Sequence, residues 1–531
     1  MRLDTGVIFS SHACGGERAL VPISKWSEEK NAWEDEPVIK GEPRPGAPMG
    51  LDPDNLGRDD KVNRMGTGSI PRLITEFAVP SIVGMLVNGA YDIIDSIFLG
   101  SAMHEVGQAA VTAANPIMIV FMAISMLIGN GGNALAALRM GEGDRQGAER
   151  SLGNTVTLSI IVSVFVAALA FVPACINGLL TISGTTPKVW DYAKSFIQIL
   201  SLGFVLQCIG MGVNNFIRTA GNPNRALGTM VIGAIGCIAG NYLFVMVFGW
   251  GVAGSALGTL VGQAASCVSV LWFFVVTPNV PLKLHVRNMP LEGRTVRLLL
   301  SLGFASFAIQ AAAAVVNFVL NNMLVKYGAQ SVLGQDAALA SIGVVSRISM
   351  FVLFPLIGVA VALQPLLGYN YGAHLFKRVR TTLFEGMAGA TVIGTVLWAC
   401  VQLWPNQIVG WFGIQNPDLV AFTAHALQVQ LALVPLIGFQ VVGGNYFQAT
   451  GQPLKSAFIS LTRQVLFLIP LYLVLPEVLP QMMPQFTGLN ALYYAAPIAD
   501  FLAVFITIVF LLMEMRRMKK LESGELQVAS F

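Results

Sequence analysis

Charge is what this sequence has least of. Asp, Glu, Lys and Arg make up 11% of its 531 residues, where soluble globular domains carry about 25%. Histidine is scarcer still: five residues, scattered, with no cluster that would ligate a metal or serve a membrane-surface transferase. The six cysteines (Cys14, Cys175, Cys208, Cys237, Cys267, Cys400) form no pairing or metal pattern. Five of them fall inside apolar blocks, where they read as small buried hydrophobes. No GxxxxGK[ST] loop is present, so no ATP site is expected. The first residues hold no apolar stretch of the kind a signal peptide needs. A net charge of +3 gives no case for nucleic acid as a partner.

What is abundant is apolar. Hydrophobic residues make up 54% of the chain and the mean hydropathy is +0.66. They lie in long blocks: residues 117–138 and 226–281 carry no charge. About 20 apolar residues cross ~30 Å of hydrocarbon as a helix. Helix is the default because lipid offers no partner to free backbone groups. A β-barrel would instead read as short alternating segments. The expected spans are 72–100, 111–138, 152–182, 189–219, 225–249, 252–277, 295–326, 337–368, 381–412, 419–449, 455–478 and 488–515. The fold class that follows is an all-α polytopic membrane protein of about twelve transmembrane helices. Residues 1–70, rich in Pro, Gly, Glu and Asp, are expected to be a flexible cytoplasmic tail.

Basic residues set the orientation. One end of the bundle collects Arg139, Arg145, Arg150, Arg218, Arg225, Lys283, Arg287, Arg294, Arg297, Lys377, Arg378, Arg380, Lys455 and the C-terminal Arg516, Arg517, Lys519 and Lys520. The other end is expected to hold only Lys188 and Lys326. Both termini should therefore be cytoplasmic. The chain also repeats. Arg72-Leu73-Ile74 with Ser81 matches Arg297-Leu298-Leu299 with Ser306, 225 residues on; Thr219-Ala220-Gly221-Asn222-Pro223 matches Ala449-Thr450-Gly451-Gln452-Pro453, 230 on; Gly141 matches Gly372, 231 on. Six spans per copy give parallel repeats about an axis along the membrane normal, an arrangement in which two lobes rock around a central cavity. The expected division is an N-lobe over 71–277, a linker over 278–294, a C-lobe over 295–515 and a cytoplasmic tail over 516–531.

The segment Gly358 to His374, GVAVALQPLLGYNYGAH, resembles the multidrug and toxin extrusion (MATE) family, in its bacterial MepA-like branch. Tyr446 to Ser456, Ser460 to Pro476, Gly488 to Ala503, Val79 to Gly100 and Arg139 to Glu149 agree with it, so the resemblance covers about residues 70 to 515. It implies a multi-pass inner-membrane antiporter, not an enzyme. Such a protein exports cationic or amphiphilic organic compounds, with H⁺ or Na⁺ running inward. No cofactor is implied; the partners are small organic substrates and the bilayer, and the chain is expected to be a monomer. A lipid or lipid-linked oligosaccharide flippase of the same superfamily is the alternative; the scarcity of midspan Lys and Arg argues against it. A passive channel would leave the duplication without a rocking role.

Ionisable residues inside spans are costly and mark pathways. Three carboxylates qualify: Asp92, Asp95 and Asp500. Asn88, Asp92 and Asp95, at i, i+4 and i+7, share one helix face. A carboxylate there can bind Na⁺ or take a proton. Asp95 matches the aspartate of the family's YNxxD string. Asp92 stands where the family more often has Asn, and Cys237 and Asn241-Tyr242 stand where it often has NxxxDP. That departure puts a family-like Na⁺ site in doubt, favours protons, and suggests that Asp92 supplies the relocated charge. Asn241 is either a neutral ligand or hydrogen-bond partner, or a packing amide. By the repeat Asp92 maps onto Asn317, and Gln364 onto Asn133. Asn317, Asn321, Gln364, Gln440 and Met85 are candidate cavity residues, with helix packing as the alternative for each. Arg347 needs a counter-ion, and Asp500 is its candidate partner. His425 reads as a helix-end polar group.

Overall fold

The computed structural model describes residues 20–27, 32–39, 60–182, 187, 189–328, 335–411, 417–483, 487–523 and 525. Asp92 is placed in a helix, but its side chain lies outside the description, as does Lys188.

Ten helices are long and apolar enough to cross a membrane, and two bent pairs bring the number to twelve if each pair is one span. In chain order, spans 1 to 6 are Ile70–Leu99, Ala114–Gly141, Arg145–Phe171, Trp190–Leu202 with Phe204–Thr219, Pro223–Val247 and Gly251–Val275. Spans 7 to 12 are Gly293–Leu324, Ser341–Gly372, Phe376–Leu403, Pro417–Gln430 with Val434–Ala449, Pro453–Met482 and Gly488–Glu522. The agreement with the hydropathy blocks has a simple cause: in lipid, length and apolarity alone set where a helix must run. Large side chains such as Phe165, Trp272 and Phe505 are exposed on the outside of the bundle, where a bilayer would cover them.

Spans 1 and 2 belong to one unbroken helical run, Ile70–Gly141. Gly66 and Gly141 both pack against Tyr369, so the run doubles back and its two ends meet at one end of the bundle. That end carries the basic residues and is called the basic end below. Lys194, in the first turns of span 4, adds a basic residue to the opposite end beyond the two counted from sequence.

The repeat is visible in the backbone. Spans 4 and 10 are both bent, by 56° and 45°. The break in span 4 falls at Gly203 and that in span 10 just before Pro435, which has no N–H to donate. Spans 5 and 11 each carry a π-helical segment, Tyr242–Val247 and Thr462–Leu468. Gly221 and Gly451 both turn through positive φ, +74° and +77°. These features support two pseudo-symmetric six-helix lobes.

The apolar cores divide the bundle by height. One core joins the lobes: Leu73, Leu138 and Ile217 pack in the same cluster as Leu299, Leu367 and Tyr369. A second contains only C-lobe residues, among them Leu324, Val409 and Leu489. A third contains only N-lobe residues, among them Leu99, Ile176 and Val252. Among the described residues the lobes therefore share a core at the basic end and keep separate cores at the other.

One expectation for the flanking segments needs correction. The stretch before residue 70 is not uniformly irregular. Strands β1 (Leu20–Ser27) and β2 (Ala32–Ile39) form an antiparallel hairpin that aligns Trp26 with Trp33. Helix α1 (Asp60–Thr67) packs Val62 and Met65 into the shared core, at 2% and 1% exposure, each apolar side chain contributing about 1.5–3 kcal/mol by burial. The linker is also docked. Val280 and Leu282 are buried, the Lys283 N–H donates to Glu149 (3.2 Å), and Thr157 donates to the Met289 carbonyl (2.7 Å).

Candidate ion site and the seam between the lobes

Asp95 lies in the last turns of span 1, four residues before Leu99, and two other spans reach it. Asn241 Nδ2 of span 5 donates to Asp95 Oδ1 at 2.6 Å, and Ser255 Oγ of span 6 donates to the same oxygen at 3.0 Å. Oδ2 has no hydrogen bond among the described residues, so it is the oxygen left to take a proton or face a cation. Asn241 is 1% exposed and its Oδ1 has no partner. That oxygen lies against Gly258, where a Cβ would collide with it and with the backbone of span 5. Gly258 thus lets spans 5 and 6 approach closely enough for Asn241 and Ser255 to converge on one carboxylate. The π-helical segment begins at the residue after Asn241, a local widening common at functional positions.

The sequence reading left Asn241 open between partner and packing amide; the geometry makes it a hydrogen-bond partner of Asp95. Asn88 and Met85 are half-buried on span 1. Ser255 was missed. Its only signal is a hydroxyl in a small-residue run, GVAGSALG, which reads as helix packing.

The C-lobe charges pair differently from expectation. Asp500 is 1% exposed and receives the Nε–H of Arg463, not of Arg347. Arg463 is on span 11, next to span 12 in the chain and in space, whereas Arg347 on span 8 is exposed. A membrane carboxylate takes the cation that packing brings to it. Asp500 Oδ2 is buried without a partner. Glu385 in span 9 is a further half-buried carboxylate that the expectation of three did not include.

Of the cavity candidates, Gln364 sits elsewhere. It is buried at the seam, where its Oε1 accepts from Asn133 Nδ2 at 3.1 Å. The two residues are repeat-related, so equivalent positions of the two lobes touch across the pseudo-twofold axis. Gln440 is buried with its Oε1 unpartnered, and Asn317 and Asn321 are exposed on span 7.

More polar bonds cross the same seam. Asn130 donates to Ser306 (3.1 Å) and Arg139 donates to Thr295 (3.2 Å), while Gln448 holds Ser306 from within the C-lobe (2.9 Å). Behind them Asn215 donates to Asn130, and Thr219 to Asn133. Arg218 anchors the N-lobe side. It is 1% exposed and donates to Ser81, Asn214 and Asn215, with no carboxylate among its described partners. The repeat holds here too: Arg218 bonds Ser81 as Gln448 bonds Ser306. Charge-dipole bonds to several neutral acceptors take the place of an ion pair.

What the arrangement can do chemically is limited and specific. Among the described residues it has Asp95 with one unbonded oxygen in the N-lobe, Asp500 paired with Arg463 and Glu385 half-buried in the C-lobe, and lobes that share a core at one end. No cluster of His, Cys, Asp or Glu able to hold a metal occurs among the described residues.

Comparison with known proteins follows the same lines. The sequence profile of the MatE family matches residues 80–243 and 310–474, once in each lobe. The multidrug export protein MepA of Staphylococcus haemolyticus is 25% identical over 461 residues, 85% of this chain and 96% of its own. The probable multidrug resistance protein YoeA of Bacillus subtilis is 21% identical, over 74% and 84%. Among solved structures, the MATE multidrug transporter DinF-BH in complex with R6G is 31% identical, with a TM-score of 0.76 over 84% of this chain and 96% of that one. An outward-facing multidrug resistance MATE family transporter of the MOP superfamily superposes with a TM-score of 0.79 at 21% identity, over 87% and 99%.

Proposed function

Since this chain belongs to the MatE family and is a membrane transport protein rather than an enzyme, we propose that it is a secondary antiporter. It exports cationic or amphiphilic organic compounds in exchange for inward protons, with Na⁺ as the other candidate ion, and sits in a bacterial inner membrane as a monomer with both termini cytoplasmic. The observation that carries this reading is Asp95: a span carboxylate with both donors on one oxygen and, among the described residues, none on the other. The names of the relatives, which are drug exporters, supply the substrate class.

The mechanism follows from charge. An ionised Asp95 keeps Asn241 and Ser255 turned towards it as donors. Protonation removes the charge and makes the carboxyl a donor. Asn241 can then rotate its amide and accept through Oδ1, the oxygen that now has no partner. That change repacks spans 1, 5 and 6 against one another, and the lobe moves between two arrangements whose populations the proton sets. Asp92, three residues earlier in the same span, is a second carboxylate by sequence, and two like charges that close in one helix raise the cost of full ionisation. The lobes joined at the basic end leave the opposite end free to part, which fits a state open to the outside, from which drug leaves and protons enter.

The test is dye efflux from vesicles containing the purified chain, under an imposed pH gradient or an imposed Na⁺ gradient. The reading requires efflux driven by the pH gradient and lost in Asp95→Asn. Efflux that neither gradient drives would defeat it.

A further inference from the structure

Helix α1 has eight residues, too few to hold together alone in water; it exists because it is docked. The carbonyls at a helix C-terminus have no intrahelical partner, and a cation is favoured there. In α1 and the turn after it the partners come from the C-lobe. Arg378 Nη2 donates to the Met65 carbonyl (3.2 Å) and to the Gly68 carbonyl (2.7 Å), and Asn370 Nδ2 donates to Met65 as well (3.0 Å). Gly66 lies against the Tyr369 ring and Leu375. All four C-lobe residues flank the turn between spans 8 and 9. The other flank of α1 is held by the N-lobe. Lys61 Nζ donates to Asn222 Oδ1 at 2.8 Å, in the turn between spans 4 and 5, and Arg64 pairs with Glu76 of span 1 at 2.8 Å. One short helix thus bonds both lobes at the end where they share a core.

We propose that α1 is a clasp across the seam, and that its seat on the C-lobe must release each time the basic end opens. The two sets of contacts belong to bodies that separate in that step, so α1 can keep only one. It runs through Gly68 and Ser69 directly into span 1, so it stays with the N-lobe and gives up Arg378, Asn370 and Tyr369. The clasp favours the state closed at the basic end. The proposal rests on the alternating-access reading above, and its test separates the two.

In the full chain reconstituted in vesicles, Gly66→Cys with Leu375→Cys is joined by a short, reducible bis-methanethiosulfonate cross-linker. Lys61→Cys with Asn222→Cys is the within-lobe counterpart. Joining 66 to 375 is expected to cut ethidium efflux roughly tenfold, with recovery on reduction, while joining 61 to 222 leaves at least about half. Undiminished efflux with 66 joined to 375, or equal loss in both proteins, overturns the clasp. A second readout does not need transport. Ala137 is buried at the seam against Gly368 of span 8. Alkylation of Ala137→Cys by N-ethylmaleimide is expected to rise roughly threefold or more when Arg378→Gln is added, because loss of the anchor raises the population open at that end. An unchanged alkylation rate overturns the clasp whether or not dye moves. Raised alkylation in a protein that exports no dye supports the clasp and counts against the export reading alone.

Discussion

The proposed coupling role of Asp95 rests on hydrogen bonds that are lopsided. Both donors sit on Oδ1, so the carboxylate is oriented without being saturated. Asp95→Asn keeps the shape and removes the titration. It is expected to abolish gradient-driven efflux while the protein remains inserted and folded; normal initial rates of dye efflux in that variant would sink the assignment. The relocated-charge idea concerns Asp92 and Asn241. Asp92→Asn is expected to slow efflux by roughly tenfold, about 1.4 kcal/mol in the barrier, and adding Asn241→Asp is expected to restore part, because it returns a carboxylate beside Asp95. A double variant no faster than the single one would leave Asp95 acting alone. Arg463 and Asp500 make a contrasting pair. Removing one member of a buried pair strands the other charge, which costs about 3–5 kcal/mol, whereas removing both is far milder. Arg463→Met should therefore lower the melting temperature in detergent markedly, and Asp500→Leu added to it should recover most of the loss. A single variant as stable as the native chain would mean that Arg463 is not what neutralises Asp500.

Helices carry these residues, and small residues decide how closely the helices approach. Gly258 faces Asn241 across the contact of spans 5 and 6. Gly258→Ala puts a methyl group where Asn241 Oδ1 lies, so one span must move away or Asn241 must turn. Either weakens the hold on Asp95. Efflux is expected to fall roughly tenfold with a destabilisation of about 1–3 kcal/mol, the usual cost of overpacking. Retained efflux would show that Asn241 has slack. The same logic applies at the seam, where Gly131 of span 2 meets Leu299 and Gly303 of span 7. Contact of backbone on backbone brings Asn130, Ser306, Asn133 and Gln364 within bonding distance. The π-helical segment of span 5 follows Asn241 directly and that of span 11 contains Arg463, the partners of the two span carboxylates. Each lobe so places one span carboxylate against a residue beside a locally widened turn. In the N-lobe the partner is neutral; in the C-lobe it is a cation.

At the scale of the molecule, the three apolar cores describe one state of a two-lobed machine. The lobes are fused at the basic end and independent at the other, and α1 lies across the fused end. The basic end should face the cytoplasm, from the excess of Lys and Arg there. Gln146 and Lys377 are exposed in the first turns of spans 3 and 9, at the basic end. Single cysteines at those two positions are expected to react with an impermeant maleimide in inside-out vesicles and not in intact cells. Labelling from outside would invert the topology.

The helical fold, the twelve spans and the duplication were all readable from the chain alone. In lipid every backbone hydrogen bond must close within its own helix, so hydropathy and length are sufficient to place a span, and a duplicated unit repeats its turn residues at a fixed offset. Asp95 stood out for a related reason: a carboxylate inside a span is rare and costly. Which side chains meet was a different matter. Arg347 was the candidate partner of Asp500, which is held by Arg463; Ser255 on Asp95 went unnoticed; Gln364 was a cavity candidate, with packing as the alternative, and lies buried at the seam; α1 was counted as tail and bridges the lobes. Each of these depends on how helices are rotated and how closely they pack, between positions as far apart as 305 residues for Met65 and Asn370. Spacing within one helix records which face a residue shares, and only the packed bundle decides what that face meets.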